Sequence, residues 1–147
     1  VALSWSDDNY YFICYSAKYD GFAHYRVDRM SDVTVAEAAA DYFDRKRFNL
    51  AEHAKQTFGM FSGEKVKATL RFDKSLVNVV LDHFGKNTVL RSQDDWFEIC
   101  VVVSASPVFL GWMFQFGSKA KIVAPDSLRN AMQTMIEENR LIYSEQS

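Results

Sequence analysis

The chain has 147 residues and a formal net charge of −2 at pH 7. A chain of this length has room for one domain of ordinary size or two small ones, and it can bury a core without disulfides or structural metals. The near-neutral charge argues against a broad cationic surface that coats nucleic acid non-specifically, and it leaves a local cationic site open.

The two cysteines, Cys14 and Cys100, each lie in an apolar, strand-like run without metal-binding spacing. We expect both to be buried free thiols in a reducing cytoplasm. No segment has the pattern of a signal peptide, and no apolar run is long enough to cross a bilayer. We therefore expect a cytoplasmic protein.

The first thirty residues predict a β-hairpin. Two strand-like runs, Tyr10–Ser16 and Ala23–Met30, are joined at Asp20-Gly21, a dipeptide typical of tight strand connections. An extended apolar run, Val1–Trp5, precedes them. The arginines of the second run stand among tyrosines, which makes a surface suited to anions and flat rings. The alternative is an ordinary hairpin, whose arginines pair with the carboxylates of Asp20, Asp28 and Asp32.

The segment from residue 31 to residue 63 has weaker patterns. Residues 31–35 fit a last strand, and Ala36–Asp41 fits a helix or a strand. A helix is predicted to start at Asn49, a suitable N-cap, with Glu52 three residues later. It should end at Ser62-Gly63, where we place a domain boundary. The predicted apolar stripe of this helix consists of Leu50, Ala54, Phe58 and Phe61.

The remainder alternates regularly between predicted strands and helices. The predicted strands are Val66–Phe72, Thr88–Ser92, Trp96–Val103 and Lys119–Ala124. The predicted helices are Ser75–Phe84, a segment from Ser106-Pro107 to Gly117, and a final helix that starts at Pro125-Asp126. The resulting order, β-α-β-β-α-β followed by a helix, is the split ferredoxin-like arrangement. The chain is therefore predicted to belong to the α+β class.

The hairpin also resembles the end of a WYL domain. In that family, a strand that reads aromatic-Tyr-Leu is followed by one that reads Phe-Arg-Leu-Asp-Arg-Ile. Here the first strand reads Asn9-Tyr10-Tyr11-Phe12-Ile13 and the second reads Tyr25-Arg26-Val27-Asp28-Arg29-Met30. The three-letter signature is degenerate, and the Arg-x-Asp-Arg strand follows at the expected distance. The resemblance implies that residues 1–35 are the last strands of a partial Sm-like β-barrel.

The second half resembles the WCX region that follows WYL domains in bacterial transcriptional regulators. The resemblance is carried by Leu76…Phe84-Gly85, Trp96…Val103, Ser106-Pro107…Gly111-Trp112 and Lys121-Ile122…Pro125. Together the two resemblances predict WYL strands at 1–35, a helical linker at 36–63 and a ferredoxin-like WCX domain at 64–147. The family's first barrel strands and winged-helix DNA-binding domain have no counterpart in the sequence, so we expect the chain to be part of a longer protein.

The sequence contains no recognisable catalytic or cofactor motif. Its histidines, His24, His53 and His83, lie in three different predicted elements and have no metal-ligand neighbour at helical spacing. There is no Gly-rich phosphate loop, no Gly-x-Ser-x-Gly elbow and no cysteine beside an activating base. We therefore expect no enzyme activity, no cofactor and no metal.

The WYL resemblance implies recognition of nucleic acid, above all single-stranded, or of another anionic effector. Arg26 and Arg29 would hold a phosphate or a base edge, Tyr11 would offer a stacking face, and His24 and Lys18 would extend the surface. The two arginines are three positions apart and would face opposite sides of a regular strand. A shared site therefore needs a bulge or the end of the strand between them.

The resemblance further implies a homodimer that contacts promoter DNA only through an upstream winged-helix domain and has no membrane partner. Two alternatives remain open. In the first, the chain is an oligomerisation module with no effector of its own. In the second, it is a small-molecule sensor with the ligand between its two halves.

Overall fold

The computed structural model describes residues 2–6, 8–18, 20–40, 42–57 and 63–144. Within these ranges the chain is α+β, with two antiparallel sheets and four α-helices. The strands are β1 (Ala2–Ser6), β2 (Asn9–Ser16), β3 (Gly21–Arg26), β4 (Glu64–Asp73), β5 (Arg91–Ser92), β6 (Trp96–Ala105) and β7 (Ala120–Ala124). The helices are α1 (Leu50–Gln56), α2 (Val77–Phe84), α3 (Pro107–Phe114) and α4 (Asp126–Ser144).

The first sheet has the order β1-β2-β3 and contains the predicted hairpin. Asp20 adopts a positive φ of 45° in the β2–β3 connection, a conformation that aspartate tolerates better than most residues. Alternation gives the sheet two different faces. The inward face includes Ile13, which is fully buried, whereas the outward face leaves large apolar side chains exposed: Leu3, Trp5, Tyr10, Phe12 and Tyr25.

The second hairpin strand is shorter than predicted. β3 ends at Arg26, and Val27–Arg29 form a 3₁₀ turn in which the Val27 carbonyl accepts a hydrogen bond from the Met30 amide at 3.2 Å. The prediction of a strand from Ala23 to Met30 was therefore wrong at its end. An ion pair between Arg26 and Asp28, two residues apart, accompanies this turn.

The linker between the sheets differs from its prediction. Described residues 30–40 form neither a strand nor a helix, and Val35 is 98% exposed. Helix α1 starts after the predicted cap, because the Asn49 side chain accepts hydrogen bonds from the amides of Ala51 and Glu52. It ends at Gln56, earlier than predicted, and its buried residue is His53. The predicted stripe residues Phe58 and Phe61 and the predicted helix end at Ser62 lie outside the described residues.

The second sheet has the order β5-β6-β4-β7, with every neighbouring pair antiparallel. The order of its strands and helices along the chain is the predicted one. β5 contains only Arg91 and Ser92, so the predicted strand Thr88–Ser92 is largely a loop. Helix α3 ends at Phe114 rather than at Gly117, which lies in a following 3₁₀ turn.

The main core lies between the second sheet and its helices. Alternate residues of the central strand β4 (Ala68, Leu70 and Phe72) are fully buried, and α2, α3 and α4 pack over them. The Ser106 side chain caps α3 by accepting a hydrogen bond from the Phe109 amide at 3.1 Å. The buried cluster consists of Ala68, Leu70, Phe72, Val80, Phe84, Phe97, Ile99, Val103, Phe109, Leu110, Met113, Ile122 and Leu128.

The cysteines are free, but the prediction that both are buried was wrong for Cys100, which is exposed. Cys100 lies between Ile99 and Val101 on β6, and alternation therefore turns it away from the core. Cys14 is half-buried. None of the helices in the described ranges combines the length and the apolar character that a membrane span requires.

We expect Phe72→Ala to lower the free energy of unfolding by about 3–5 kcal/mol, because it leaves a cavity at the centre of the core. The Phe72 ring is fully buried and contacts the rings of Phe97 and Trp112 at centroid distances of 5.7 and 6.1 Å. Chemical denaturation would measure the loss. The control Val89→Ala, at a residue that is 77% exposed, should change stability by less than about 0.5 kcal/mol. Equal effects of the two substitutions would contradict this description of the core.

Candidate functional site

The hairpin brings Tyr11 and Arg26 side by side. They are directly opposed in the β2–β3 register, so both side chains lie on the inward face of the first sheet. Tyr11 is half-buried, and 27% of the Arg26 side chain is exposed. The aromatic ring and the guanidinium predicted to share a site are therefore neighbours.

Arg26 is already paired with a carboxylate. Its Nε and Nη2 donate to the two oxygens of Asp28 at 3.0 and 2.8 Å, a bidentate geometry. This hydrogen-bonded pair raises the pKa of Arg26 and lowers the pKa of Asp28. For Arg26, the structure agrees with the ordinary-hairpin alternative, and an incoming anion has to compete with Asp28.

Arg29 lies just beyond the strand, in the 3₁₀ turn, and its side chain is exposed. The end of β3 therefore falls between the two arginines, which is one of the two conditions that a shared site requires. The positive charge of Arg29 also contributes to the lowered pKa of Asp28, so the two groups are close enough to interact. Asp28 thus has a guanidinium on either side of it in the sequence.

The other two predicted site residues lie elsewhere. Lys18 is exposed in the β2–β3 connection, at the opposite end of β3 from Arg26. His24 is directed at α1, where its Nε2 lies 2.8 Å from the Nε2 of His53. The five predicted residues therefore do not form one cluster, although Tyr11, Arg26 and Arg29 are grouped at one end of the hairpin.

The contact between His24 and His53 joins the first sheet to α1. The rings are stacked with centroids 5.1 Å apart, and Phe22 and Phe48 each lie 5.3 Å from the His53 ring. Only one imidazole of such a pair can donate, so the other must be neutral and accept. Burial, reinforced by the charges of His24 and Lys65, lowers the pKa of His53 to about 4. Burial also lowers the pKa of His24.

Sequence reasoning missed His53 because its predicted apolar stripe ran through Leu50 and Ala54. In the structure, Ala54 is exposed and His53 is 7% exposed. The spacing of three residues from Leu50 to His53 also fits one helix face, and this spacing was the available signal. The partner, His24, is 29 residues away along the chain, and no local pattern indicates it.

A cavity of about 460 Å³ lies beside this contact, where the hairpin connection meets the second sheet. Its polar side chains are Asp20 from the connection, His53 from α1, Lys65 from β4 and Ser104 from β6. Gly63 also lines it, and a Cβ at that position would overlap the carbonyl oxygen of Ala105. Convergent polar groups in a cleft of this size suit a small polar ligand. Across the described ranges, no three histidine, cysteine or acidic side chains are grouped so that they would hold a metal.

Residues 64–138, just over half of the chain, match the WCX domain family. The chain belongs to the WCX domain family. The match covers the second sheet with α2 and α3 and most of α4. No curated protein sequence matches the chain.

Six chains among the solved structures match this chain. One of them is proteasome accessory factor B/C (PafBC) of Arthrobacter aurescens, with a TM-score of 0.40 and 17% sequence identity. The match covers 84% of this chain and 19% of that chain, so this chain spans about a fifth of the length of its structural neighbour.

The WCX domain has a charged face on the side of its sheet away from the helices. Arg71 of β4 is opposite Glu98 of β6, and its Nε and Nη2 both donate to the Oε1 of Glu98, at 2.9 and 2.8 Å. The guanidinium carbon of Arg71 lies 4.0 Å from the centre of the Trp96 ring. This cation–π contact and the ion pair hold the Arg71 side chain flat on the sheet.

We expect acid to destabilise the contact between the first sheet and α1 through His53. Its folded-state pKa is about 4 and its ordinary value is 6.5, so the unfolded chain binds more protons between these values. The free energy of unfolding should therefore be highest above pH 6.5 and fall as the pH decreases towards 4. Chemical denaturation of wild type and His53→Phe across this range would measure the effect.

In His53→Phe, the pH dependence between 6.5 and 4 should be weaker than in wild type. Measurements above pH 6.5, where His53 is neutral in both states, report the packing effect of the substitution separately. An unchanged pH dependence would show that His53 does not titrate with the lowered pKa.

Proposed function

We propose that this chain is the effector-sensing region of a bacterial transcriptional regulator. The observation that carries the proposal is the WCX match over residues 64–138. It is supported by the resemblance of the preceding hairpin to the end of a WYL domain, since WCX regions follow WYL domains in such regulators. The strand order β5-β6-β4-β7, with a helix between β4 and β5 and another between β6 and β7, supports a ferredoxin-like fold for the WCX domain. We assign β1–β3 to an Sm-like barrel on the WYL resemblance.

The proposed effector is anionic, with single-stranded nucleic acid as the first candidate. Arg29 presents an exposed guanidinium in the 3₁₀ turn that follows β3. Tyr11 and Arg26 lie side by side at the end of the sheet where this turn begins. A phosphate bound between the arginines would replace the Asp28 carboxylate on Arg26, and Arg29 would supply the additional charge. A charge-assisted hydrogen bond contributes about 1.5–3 kcal/mol, which is enough for one arginine to control the affinity of a small site.

We expect Arg29→Ala to weaken binding of a fluorescent single-stranded oligonucleotide by at least about tenfold, because one charge-assisted phosphate contact is lost. The slope of log affinity against log salt should also decrease by about 0.7 per phosphate contact. Fluorescence anisotropy at several salt concentrations would measure both effects. The matched control is Arg47→Ala, which removes the same charge from an exposed linker position.

The same titration separates the hairpin from the cavity beside His53. If His53→Phe abolishes binding and Arg29→Ala does not, the effector occupies that cavity, as the small-molecule alternative requires. If Arg29→Ala binds as tightly as Arg47→Ala, the proposed role of Arg29 is wrong.

We also propose that the chain forms homodimers through the outward face of the first sheet. Five large side chains of that face are between 43% and 57% exposed, and the Trp5 and Tyr10 rings pack edge to face at 4.6 Å. A contiguous exposed apolar patch of this kind is typical of an interaction surface.

At high micromolar concentration, we expect wild type to have a mass twice that of the 16.9 kDa chain. Phe12→Glu should be monomeric, because burying an unpaired carboxylate in an apolar interface is costly. Val35→Glu, the same kind of change at a 98% exposed linker residue, should remain a dimer. Light scattering after size-exclusion chromatography would measure the masses, and a monomeric wild type would contradict the dimer.

A further inference from the structure

The WCX sheet has an outer face that the core does not use. Along β4, the buried residues alternate with residues directed away from the helices. The register extends this outer face across β5, β6 and β7. We define the outer face by its charged and aromatic members, Lys65, Lys67, Arg71, Asp73, Arg91, Trp96, Glu98 and Lys121.

The outer face is cationic although the whole chain is not. Five of its members are lysine or arginine and two are acidic, in a chain whose formal net charge is −2. Positive charge is therefore concentrated on one side of the sheet. A cationic surface on an otherwise near-neutral domain indicates an anionic partner for that surface.

One row of this face places four charges across four strands. Arg91 and Arg71 lie on either side of Glu98, and Lys121 is directly opposite Arg71. Neighbouring strands are about 4.8 Å apart, and like charges directly opposite each other are destabilising. Glu98 neutralises only one of the three cations. A bound anion between Arg71 and Lys121 would relieve the remaining repulsion.

A cavity of about 450 Å³ adjoins this row. Trp96, Arg71 and Lys121 line it, together with Lys119 and the carboxylates of Asp73 and Asp95. The stacked Arg71 and Trp96 provide a flat edge, and the lysines provide further charge. A phosphate or carboxylate alone would leave most of this volume empty, whereas a nucleobase with its phosphate uses both the flat edge and the charge.

The cations also follow the direction of β4. Lys65 and Arg71, with Lys67 between them, are six residue steps apart, which corresponds to about 20 Å at the rise of an antiparallel strand. All three lie on the same face, and Lys65 and Lys67 are exposed. This linear track suits an extended polyanion. A flat sheet face cannot enter a groove of a duplex as a helix does, so the geometry favours a single strand.

We propose that the outer face of the WCX sheet binds single-stranded nucleic acid. The phosphates follow Lys65, Lys67 and Lys121, and one base occupies the cavity beside Trp96. This surface does not include Tyr11, Arg26 or Arg29 of the proposed hairpin site, and at Lys65 it borders the cavity beside His53. The WCX domain then contributes its own nucleic-acid contacts in addition to any role in assembly.

The test is an anisotropy titration of the whole chain with a labelled oligothymidine of about 20 nucleotides, long enough to cover the track. The variant is Lys67→Glu with Lys121→Glu, two exposed residues outside the cavity beside His53. Its matched control is Lys46→Glu with Lys86→Glu, two exposed lysines that lie off the outer face. Circular dichroism and thermal melting would show that both variants are folded.

We expect the outer-face variant to bind at least about tenfold more weakly than the control, because two lysines that contact phosphates are replaced by carboxylates. The salt dependence of its affinity should also be smaller, since two phosphate contacts are lost. Trp96→Leu should weaken binding by about tenfold at constant salt dependence, because a stacking contact carries no charge. Duplex DNA and poly-glutamate should both bind more weakly than the single strand.

Three results would overturn the proposal. The first is equal affinity of the outer-face variant and its control. The second is binding of poly-glutamate as tight as that of the oligonucleotide, which would assign the face to an acidic protein partner. The third is loss of binding in Arg29→Ala alone, which would leave the hairpin as the nucleic-acid site and the outer face without this role. If Arg29→Ala binds normally and the outer-face variant does not, the hairpin proposal fails and this one stands.

Discussion

The strict alternation along β4 is the constraint on which the WCX domain depends. β4 is hydrogen-bonded to β6 along its whole length and to β7 over Thr69–Phe72, so two neighbouring strands fix its register. Every second side chain must therefore enter the core, and every other one must leave it. A shift of one residue would bury Lys67 and Arg71 and expose Leu70 and Phe72. The apolar core and the cationic outer face are thus two consequences of one register.

The contact between the hairpin and the rest of the chain has a different chemical character. It is formed by aromatic rings around the buried imidazole of His53 and the half-buried imidazole of His24, rather than by a continuous aliphatic core. Such a contact is directional, because one imidazole must donate to the other. It is also sensitive to protons, since a second positive charge would face the first at 2.8 Å. The cavity that it borders therefore lies next to a titratable pair of side chains.

In the hairpin, an ion pair between neighbouring residues occupies part of the predicted anion site. Arg26 and Asp28 are two positions apart and form a bidentate pair, because β3 ends at Arg26 and Asp28 lies in the following 3₁₀ turn. The sequence allowed both the pair and an open anion site, because each uses the same residues. The two differ only in the backbone conformation of residues 27–29, which depends on where β2 stops supporting its neighbour.

The sequence alone determined the α+β class and the order of elements in the second half, because these depend on periodicities within ten to twenty residues. The family of residues 64–138 was indicated by a resemblance in particular residues, and the WCX match confirms it. Helix caps such as Asn49 and Ser106 were equally local and could be identified from the sequence. Only the tertiary structure decided the His24–His53 contact, the row of charges on the outer face and the early end of β3. Each of these joins residues on different elements, and the register and packing that bring such elements together have no signature in the pattern of any single segment.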